Sequence, residues 1–310
     1  MKPFNFNEDV VSTNVIVTDG FFDGGAGTKA GSNYTTSSLS ATQKKYYYNL
    51  QYNSKDHFSC TYGHVAGSGS DDESTTTEGT TQALYKQFYN FTEPNAHHLR
   101  DTTGFIINSI TQSDAYFIVA ERLQMKDRLN PGTWTITLSG SNSSIASRIA
   151  SASNIQLTDD SKTTDPITPG SPFGEVYSIV SGSAGTKVGT TKYGKFYPDA
   201  GLFVLGANQL SSSLPGSKSA IQSGSGYVKH SSGLAPDLRV TSAADNAWKV
   251  ARALQLGSVT LRSEEKQYIY DYFCRAKANE FNLSSNVTFW SGSNYTMRHS
   301  DGNKSTNLYK

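Results

Sequence analysis

Charge is scarce in this chain. Asp, Glu, Lys and Arg make up 17% of 310 residues, and 27 basic side chains nearly cancel 26 acidic ones, leaving a net charge of +1. With no basic surplus and no long basic run, the electrostatic footprint of sequence-independent nucleic-acid binding is missing. Direct nucleic-acid contact is therefore not expected. Long apolar runs are also missing: nothing approaches the roughly 20 residues a membrane helix needs, so no membrane partner is expected. The N-terminal Met1-Lys2-Pro3-Phe4-Asn5-Phe6-Asn7 lacks the apolar stretch of a signal peptide, which leads to an expectation of cytoplasmic synthesis. Cysteine is reduced to Cys60 and Cys274. In a reducing compartment both are expected as unpaired, buried thiols. The Asn-X-Ser/Thr triplets are what chance gives in a chain this rich in Asn, Ser and Thr.

What the chain does contain is aromatic residues, at 12%, with 18 Tyr and 15 Phe, set in a background of Ser, Thr, Asn and 27 Gly against 9 Pro. Apolar residues total only 36%, yet a disordered chain would lack these rings, because it cannot bury enough apolar surface to offset ordering entropy. Tyr, Thr and Val suit pleated, half-solvated strands, while Ser, Asn and Gly serve turns. The composition predicts a mainly β fold: antiparallel, sandwich-like sheets with a few short helices.

Local patterns place the elements. Asn14–Thr18 reads as a strand ended by Asp19-Gly20. Lys45–Tyr52 and His57–Tyr62 read as antiparallel neighbours joined by Asn53-Ser54-Lys55-Asp56. Leu84, Tyr85 and Phe88 fall at helical spacing, predicting a helix over about 81–90. Phe105–Ile107, Tyr116–Val119 and Thr133–Leu138 read as strands, and Ala150–Leu157 is a further candidate. Val176–Val180 follows, then a hairpin in which Pro198-Asp199-Ala200-Gly201 reverses Tyr193–Tyr197 into Leu202–Leu205. A second helix is predicted over 243–256, with Ser242 as N-cap, Ala247, Val250, Ala251 and Leu254 as its apolar face, and Gly257 closing it. Alternation from Tyr268 to Ala278 favours a strand over a helix opened by Ser263-Glu264-Glu265. The Pro- and Ser-rich stretch 141–174 is expected as a loop or boundary region. It would separate an N-terminal β-rich domain (1–140) from a C-terminal β-rich domain with one helix (175–310).

Candidate chemistry is thin. His57 and His64 flank Cys60, but strict alternation would send the two imidazoles to opposite faces, and neither forms a ligand spacing with the thiol. The adjacent His97 and His98 diverge in any regular structure. Asp71-Asp72-Glu73 lacks the alternating oxygen ligands and distal Glu of a calcium loop. The glycine-rich segments at 24–27 and 67–69 do not end in the Gly-Lys-Ser/Thr of a phosphate loop. Two carboxylates suffice for glycoside hydrolysis, so a polysaccharide-degrading enzyme stays as an alternative marked by two converging acids. No catalytic, metal or cofactor residue is expected, and no enzyme. Tyr46, Tyr47, Tyr48 and Tyr52 could stack on a glycan or a subunit, although such a run is more often half core and half exposed strand. Arg275, beside Cys274 on an apolar strand, calls for a carboxylate partner or an inter-subunit contact.

The segment Tyr272-Phe273-Cys274-Arg275-Ala276-Lys277-Ala278-Asn279-Glu280-Phe281-Asn282-Leu283-Ser284-Ser285-Asn286 resembles a motif of virion structural proteins of T4-like contractile-tailed phages, especially those of marine and cyanobacterial hosts. Thr61–Ser70, with its Tyr-Gly-His and Gly-Ser loop, resembles a second block of that family, and the Tyr193–Leu205 hairpin a third. The order of the blocks agrees. The chain departs at Ser285-Asn286-Val287, where members carry Asn-Asn-Pro, and it stops at Lys310 where members continue into a further strand. One expectation is that another chain supplies that strand by edge addition. The resemblance implies a virion protein assembled in the host cytoplasm, in symmetric multiple copies, in the tail, baseplate or neck. Its partners would be other virion proteins and copies of itself. The candidate subunit-interface residues are Tyr268, Tyr270, Tyr272, Arg275 and Phe281. A receptor- or glycan-binding tail appendage, binding a host surface glycan, and a capsid decoration protein are the alternatives.

Overall fold

The computed structural model describes residues 5–21, 27–36, 47–68, 80–92, 104–141, 152–167, 174–214, 234–236, 243–273, 290–291 and 296–297. One helical turn, α1 (Phe6–Asp9), leads into the long strand β1 (Val10–Gly20), followed by β2 (Gly27–Ala30), a 3-10 turn (Gly31–Asn33) and β3 (Thr35–Thr36). The expected hairpin follows as β4 (Tyr47–Tyr52) and β5 (Lys55–His64). Asn53 and Ser54 between them have φ of 50° and 61°, the left-handed pair that a two-residue hairpin turn demands. Helix α2 (Thr80–Thr92) precedes the small hairpin β6 (Ile106–Ile107) and β7 (Ile110–Thr111), then β8 (Asp114–Ala120), β9 (Arg128–Leu129) and β10 (Thr135–Ser141). The second half brings β11 (Ala152–Asp159), β12 (Tyr177–Ser183), β13 (Thr186–Tyr197) and β14 (Leu202–Gly206). Helices α3 (Ala207–Ser213) and α4 (Ala243–Leu256) come next, then β15 (Ser258–Tyr272) and the hairpin β16 (Trp290–Ser291) and β17 (Thr296–Met297). The fold is mainly β, and the pairings among β2 to β17 are antiparallel. Cys274 and Ser242 lie outside the described residues.

The chain divides into two compact units, residues 16–266 and residues 1–15 with 267–310. In the larger unit one sheet runs β15-β10-β11-β12-β13-β14-β8-β5-β4-β3, with β2 and β9 also paired to β15. The expected boundary at 141–174 falls inside this unit. Residues from that stretch form β11, which pairs with β10 on one side and β12 on the other. Across the expected divide, β14 pairs with β8 from Leu202–Val119 to Gly206–Ala115. A polar, proline-bearing stretch marks a loop, and here its described residues include a central strand of a shared sheet.

The sheet carries a core on each face. Along β8, Tyr116, Ile118 and Ala120 enter the larger core while Ala115 and Phe117 enter the smaller one. Along β14, Phe203 and Leu205 face the first and Leu202 and Val204 the second. Strands covered on both sides need apolar residues at every position, which is why these two read as unbroken apolar runs. In the larger core Trp134, just before β10, meets Phe203 of β14 at 4.9 Å and Phe196 of β13 at 5.2 Å between ring centres. Strands distant in sheet order thus face each other, as in a sandwich. Helix α4 lies in this core through Ala247, Val250, Ala251 and Leu254, the face its spacing predicts, and touches β4 and β5 as well as β10.

Helix α2 closes the smaller core. Tyr85 is buried, its ring meets Phe105 and Phe117, its hydroxyl donates to the Gln112 carbonyl, and the Phe105 amide donates to that hydroxyl at 2.9 Å. The helix backbone comes so close to β5 that a Cβ on Gly63 would lie 2.9 Å from Tyr85 N, Cα and Cβ. Glycine is required there by contact.

In the smaller unit, Asn5 caps α1: its side-chain oxygen accepts from the Asn7 amide at 3.1 Å, and its own amide donates to Asp9 Oδ2 at 2.9 Å. The Phe273 amide donates to the Asp9 carbonyl at 2.8 Å. β16 and β17 pair through Trp290–Met297 and Ser291–Thr296.

Candidate subunit interface

β15 changes character along its length. Val259, Leu261, Ser263 and Glu264 are buried, so this part obeys the packing of the larger unit. Beyond Gln267, Tyr268 is 61% exposed, Ile269 45%, Tyr270 50%, Tyr272 60% and, just past the strand, Phe273 56%. Neighbouring strand residues point to opposite faces, so both faces of this segment are bare. Val11 and Val15 of β1, the strand next to β15 in the sheet order, are exposed too.

Single exposed apolar side chains are ordinary, but a contiguous group marks an interaction surface. Each ring removed from water would contribute about 2 kcal/mol. Tyrosine fits a surface that must be soluble before assembly and apolar after it, because its body is hydrophobic and its tip hydrogen-bonds. Of the five interface residues read from the sequence, the structure places Tyr268, Tyr270 and Tyr272 together on this strand end. Arg275 and Phe281 lie outside the described residues. Sequence reasoning did not single out Ile269 and Phe273. Their signal is the alternation itself, which places apolar residues on both faces of the strand.

The polar clusters of the larger unit have another character. Arg128 on β9 gathers three carboxylates: Glu175 Oε2 at 2.9 Å from Nη1, Asp199 Oδ1 at 3.8 Å, and Glu264 Oε1 on Nε. Tyr177 donates its hydroxyl to Glu175 Oε2 at 3.0 Å. Burial holds the Asp199 carboxyl above its usual range against the pull of Arg128, and burial and the Glu175 charge together push the Tyr177 phenol up. Perturbed acids mark structural ion networks as well as functional sites. Here the acids share one guanidinium, which ties β9, β15, the β13–β14 turn and the entry to β12 together. None of this was legible locally, since the four residues come from four distant segments.

The histidines resolve similarly. His64 Nε2 lies 3.1 Å from Asp114 Oδ1, and its Nδ1 accepts from the amides of Ala66 at 3.0 Å and Ser68 at 3.2 Å. Both ring nitrogens are engaged, and the acceptor role of Nδ1 assigns the proton to Nε2. His57 sits among the rings of Phe21, Tyr34, Tyr52 and Phe58. The β4–β5 register shifts between Leu50 and Gln51, opposite His57, so strict alternation does not run from His57 to His64. Some 20 Å of strand separates them. Cys60, between them, is a free, fully buried thiol whose pKa burial pushes up. Tyr48 is buried against Trp248 and Tyr52 packs on the same core, with Tyr47 half-buried. Asp71, Asp72, Glu73, His97 and His98 lie outside the described residues. Among the described residues no group of three or more His, Cys, Asp or Glu side chains converges on a metal-sized site, and no helix is long and apolar enough to cross a membrane.

Comparison with protein-family models, with curated proteins and with solved structures finds no match to this chain.

Proposed function

We propose that this chain is a phage virion structural protein, a non-enzymatic assembly component of the tail, baseplate or neck of a contractile-tailed particle, present in symmetric multiple copies. The observation that carries the reading is the bare end of β15, where Tyr268, Ile269, Tyr270 and Tyr272 expose both faces of a strand that is buried at its other end. A strand end with apolar side chains exposed on both faces marks an interaction surface, and a neighbouring subunit is the natural cover. The resemblance of Thr61–Ser70, Tyr193–Leu205 and Tyr272–Asn286 to virion proteins supports the same reading. Affinity in such an assembly comes from many modest contacts acting together.

The exposed tyrosines also favour a second reading, a glycan- or receptor-binding appendage, since their rings can stack on sugars. Light scattering on the purified chain over a range of concentrations separates the two. Self-association of the wild type, lost in Tyr268→Ser/Tyr272→Ser with an unchanged melting temperature, supports the assembly role. A wild type that stays monomeric at every concentration and binds glycans supports the appendage.

A further inference from the structure

β1 ends the sheet order, paired with β15 on one side, and among the described residues no strand pairs with its other side. Such an edge carries a row of backbone donors and acceptors that can template another strand. In the smaller unit Val11, Ser12, Thr13, Asn14 and Val15 of β1 are all exposed. Side chains on both faces are therefore accessible along with the edge.

Sheet edges are ordinarily blunted by lysine, proline or brevity. β1 uses none of these. It is 11 residues long, and from Val10 to Thr18 it holds no charged residue and no proline.

The residue order says what fits this edge. About Thr13, Ser12 answers Asn14 and Val11 answers Val15, and in sequence the match extends to Val10 and Ile16. An antiparallel copy laid along the strand with a two-fold axis at Thr13 sets apolar opposite apolar and polar opposite polar. A shift of one residue sets Val15 opposite Ser12, or Val11 opposite Asn14, so the pattern selects the register. With no charge in the run, a second copy brings no like-charge clash.

We propose that β1 pairs antiparallel with β1 of a second copy of this chain, about a two-fold axis at Thr13. The contact is isologous, so each pair occurs twice. Backbone hydrogen bonds supply the affinity and the facing side chains the register. So short a strand falls below the roughly 1,200 Å² at which stable interfaces begin. The inference therefore rests on the assembly reading: the strand pairing adds to the contact made by the bare tyrosines, and neither holds two chains alone.

The test has two arms, both on the full chain. In a Cys274→Ser background, with Cys60 left as a buried thiol, Thr13→Cys places two Cα atoms about 4.5 to 5.5 Å apart, within disulfide reach. Val15→Cys places them roughly 13 Å apart along the strands. Mild oxidation is expected to give a covalent dimer with the first and monomer with the second. Thr13→Lys and Thr13→Glu each set like charges opposite one another and are expected to weaken self-association about threefold to fivefold, while an equimolar mixture of the two restores it. The melting temperature confirms that each variant is folded. Thr13→Cys that stays monomeric on oxidation, or Thr13→Lys that associates as tightly as the wild type, overturns the strand pairing. If association is then still lost in Tyr268→Ser/Tyr272→Ser, the assembly reading stands without it. A covalent Thr13→Cys dimer from a chain absent from purified particles supports the pairing and overturns the placement in a particle.

Discussion

His64 on β5 and Asp114 on β8 face each other in register, with Nε2 3.1 Å from Oδ1. The pair does more than join two strands. Asp114 also lies 3.3 Å from the Tyr62 hydroxyl, and the other imidazole nitrogen holds the amides of Ala66 and Ser68. That turn receives Gln82 Nε2 on the Val65 carbonyl and Thr81 Oγ1 on the Ser68 carbonyl, so the pair anchors the first turn of α2. Asp114→Ala removes a buried acceptor from two donors and should cost about 2 to 3 kcal/mol in urea unfolding. Hydrogen exchange should quicken most at Ala66 and Ser68. A uniform change across the sheet would show that the pair has no special hold on α2.

Gly63, one residue before His64, has its place taken up by the α2 backbone. Gly63→Ala must push helix and strand apart, and Gly63→Val more so. The alanine variant should lose about 1 to 3 kcal/mol, with Tyr85 and Phe88 drawn off Phe105 and Phe117. Denaturant unfolding and the near-ultraviolet circular dichroism of those rings measure both effects. Wild-type stability in the alanine variant would place α2 farther from β5.

Arg128→Met leaves Glu175, Asp199 and Glu264 facing one another without their shared cation. The guanidinium is only partly exposed, so the loss at neutral pH should be about 2 to 3 kcal/mol. The pH dependence has a definite sign. Asp199 has a folded pKa raised above its unfolded one, so its stabilising effect is fully present below the unfolded value and is lost as pH rises through the folded value. Removing Arg128 raises it further, so the variant should recover part of its deficit on acidification from neutral toward pH 4, about the unfolded carboxylate value. A deficit that is constant with pH would show that Arg128 acts through packing alone.

Tyr116 is fully buried, and its hydroxyl donates to the Leu234 carbonyl at 3.0 Å. Burial, helped by the Asp114 charge, pushes its pKa well above the ordinary value, and burial also raises Tyr34. A raised folded pKa means stability that is complete below the unfolded value near 10 and falls as pH rises toward the folded one. The native protein should hold these phenols un-ionised until it unfolds cooperatively in alkali. Tyr116→Phe should make the alkaline decline shallower. Phenolate absorbance followed beside circular dichroism tests this, and ionisation of every tyrosine before unfolding would contradict it.

The sequence discloses what is set by neighbours in the chain. Asn53-Ser54 marks its hairpin, the 247/250/251/254 spacing marks the buried face of α4, and the continuous runs at 116–119 and 202–205 mark strands covered twice. It does not disclose what depends on distant pairing. β15 already begins at Ser258, so Ser263-Glu264-Glu265, whose local chemistry fits a helix start, becomes strand because β9 and β10 pair with it. The polar residues after Gly206 hide α3. The gathering of acids at Arg128 exists only once the sheet has formed. Of the candidate interface, the tyrosines are legible by alternation, while the exposure of side chains on both faces shows only in the fold.

The central claim is that the bare strand end serves assembly in a particle. Its most direct test is to purify the contractile-tailed particles proposed to carry this chain and count the polypeptide against the capsid and tail-tube proteins by quantitative mass spectrometry. The account predicts a copy number of order ten, in a multiple of three or six, as closed symmetry requires. Absence from the particle would contradict it, and hundreds of copies would contradict its placement in the tail, baseplate or neck.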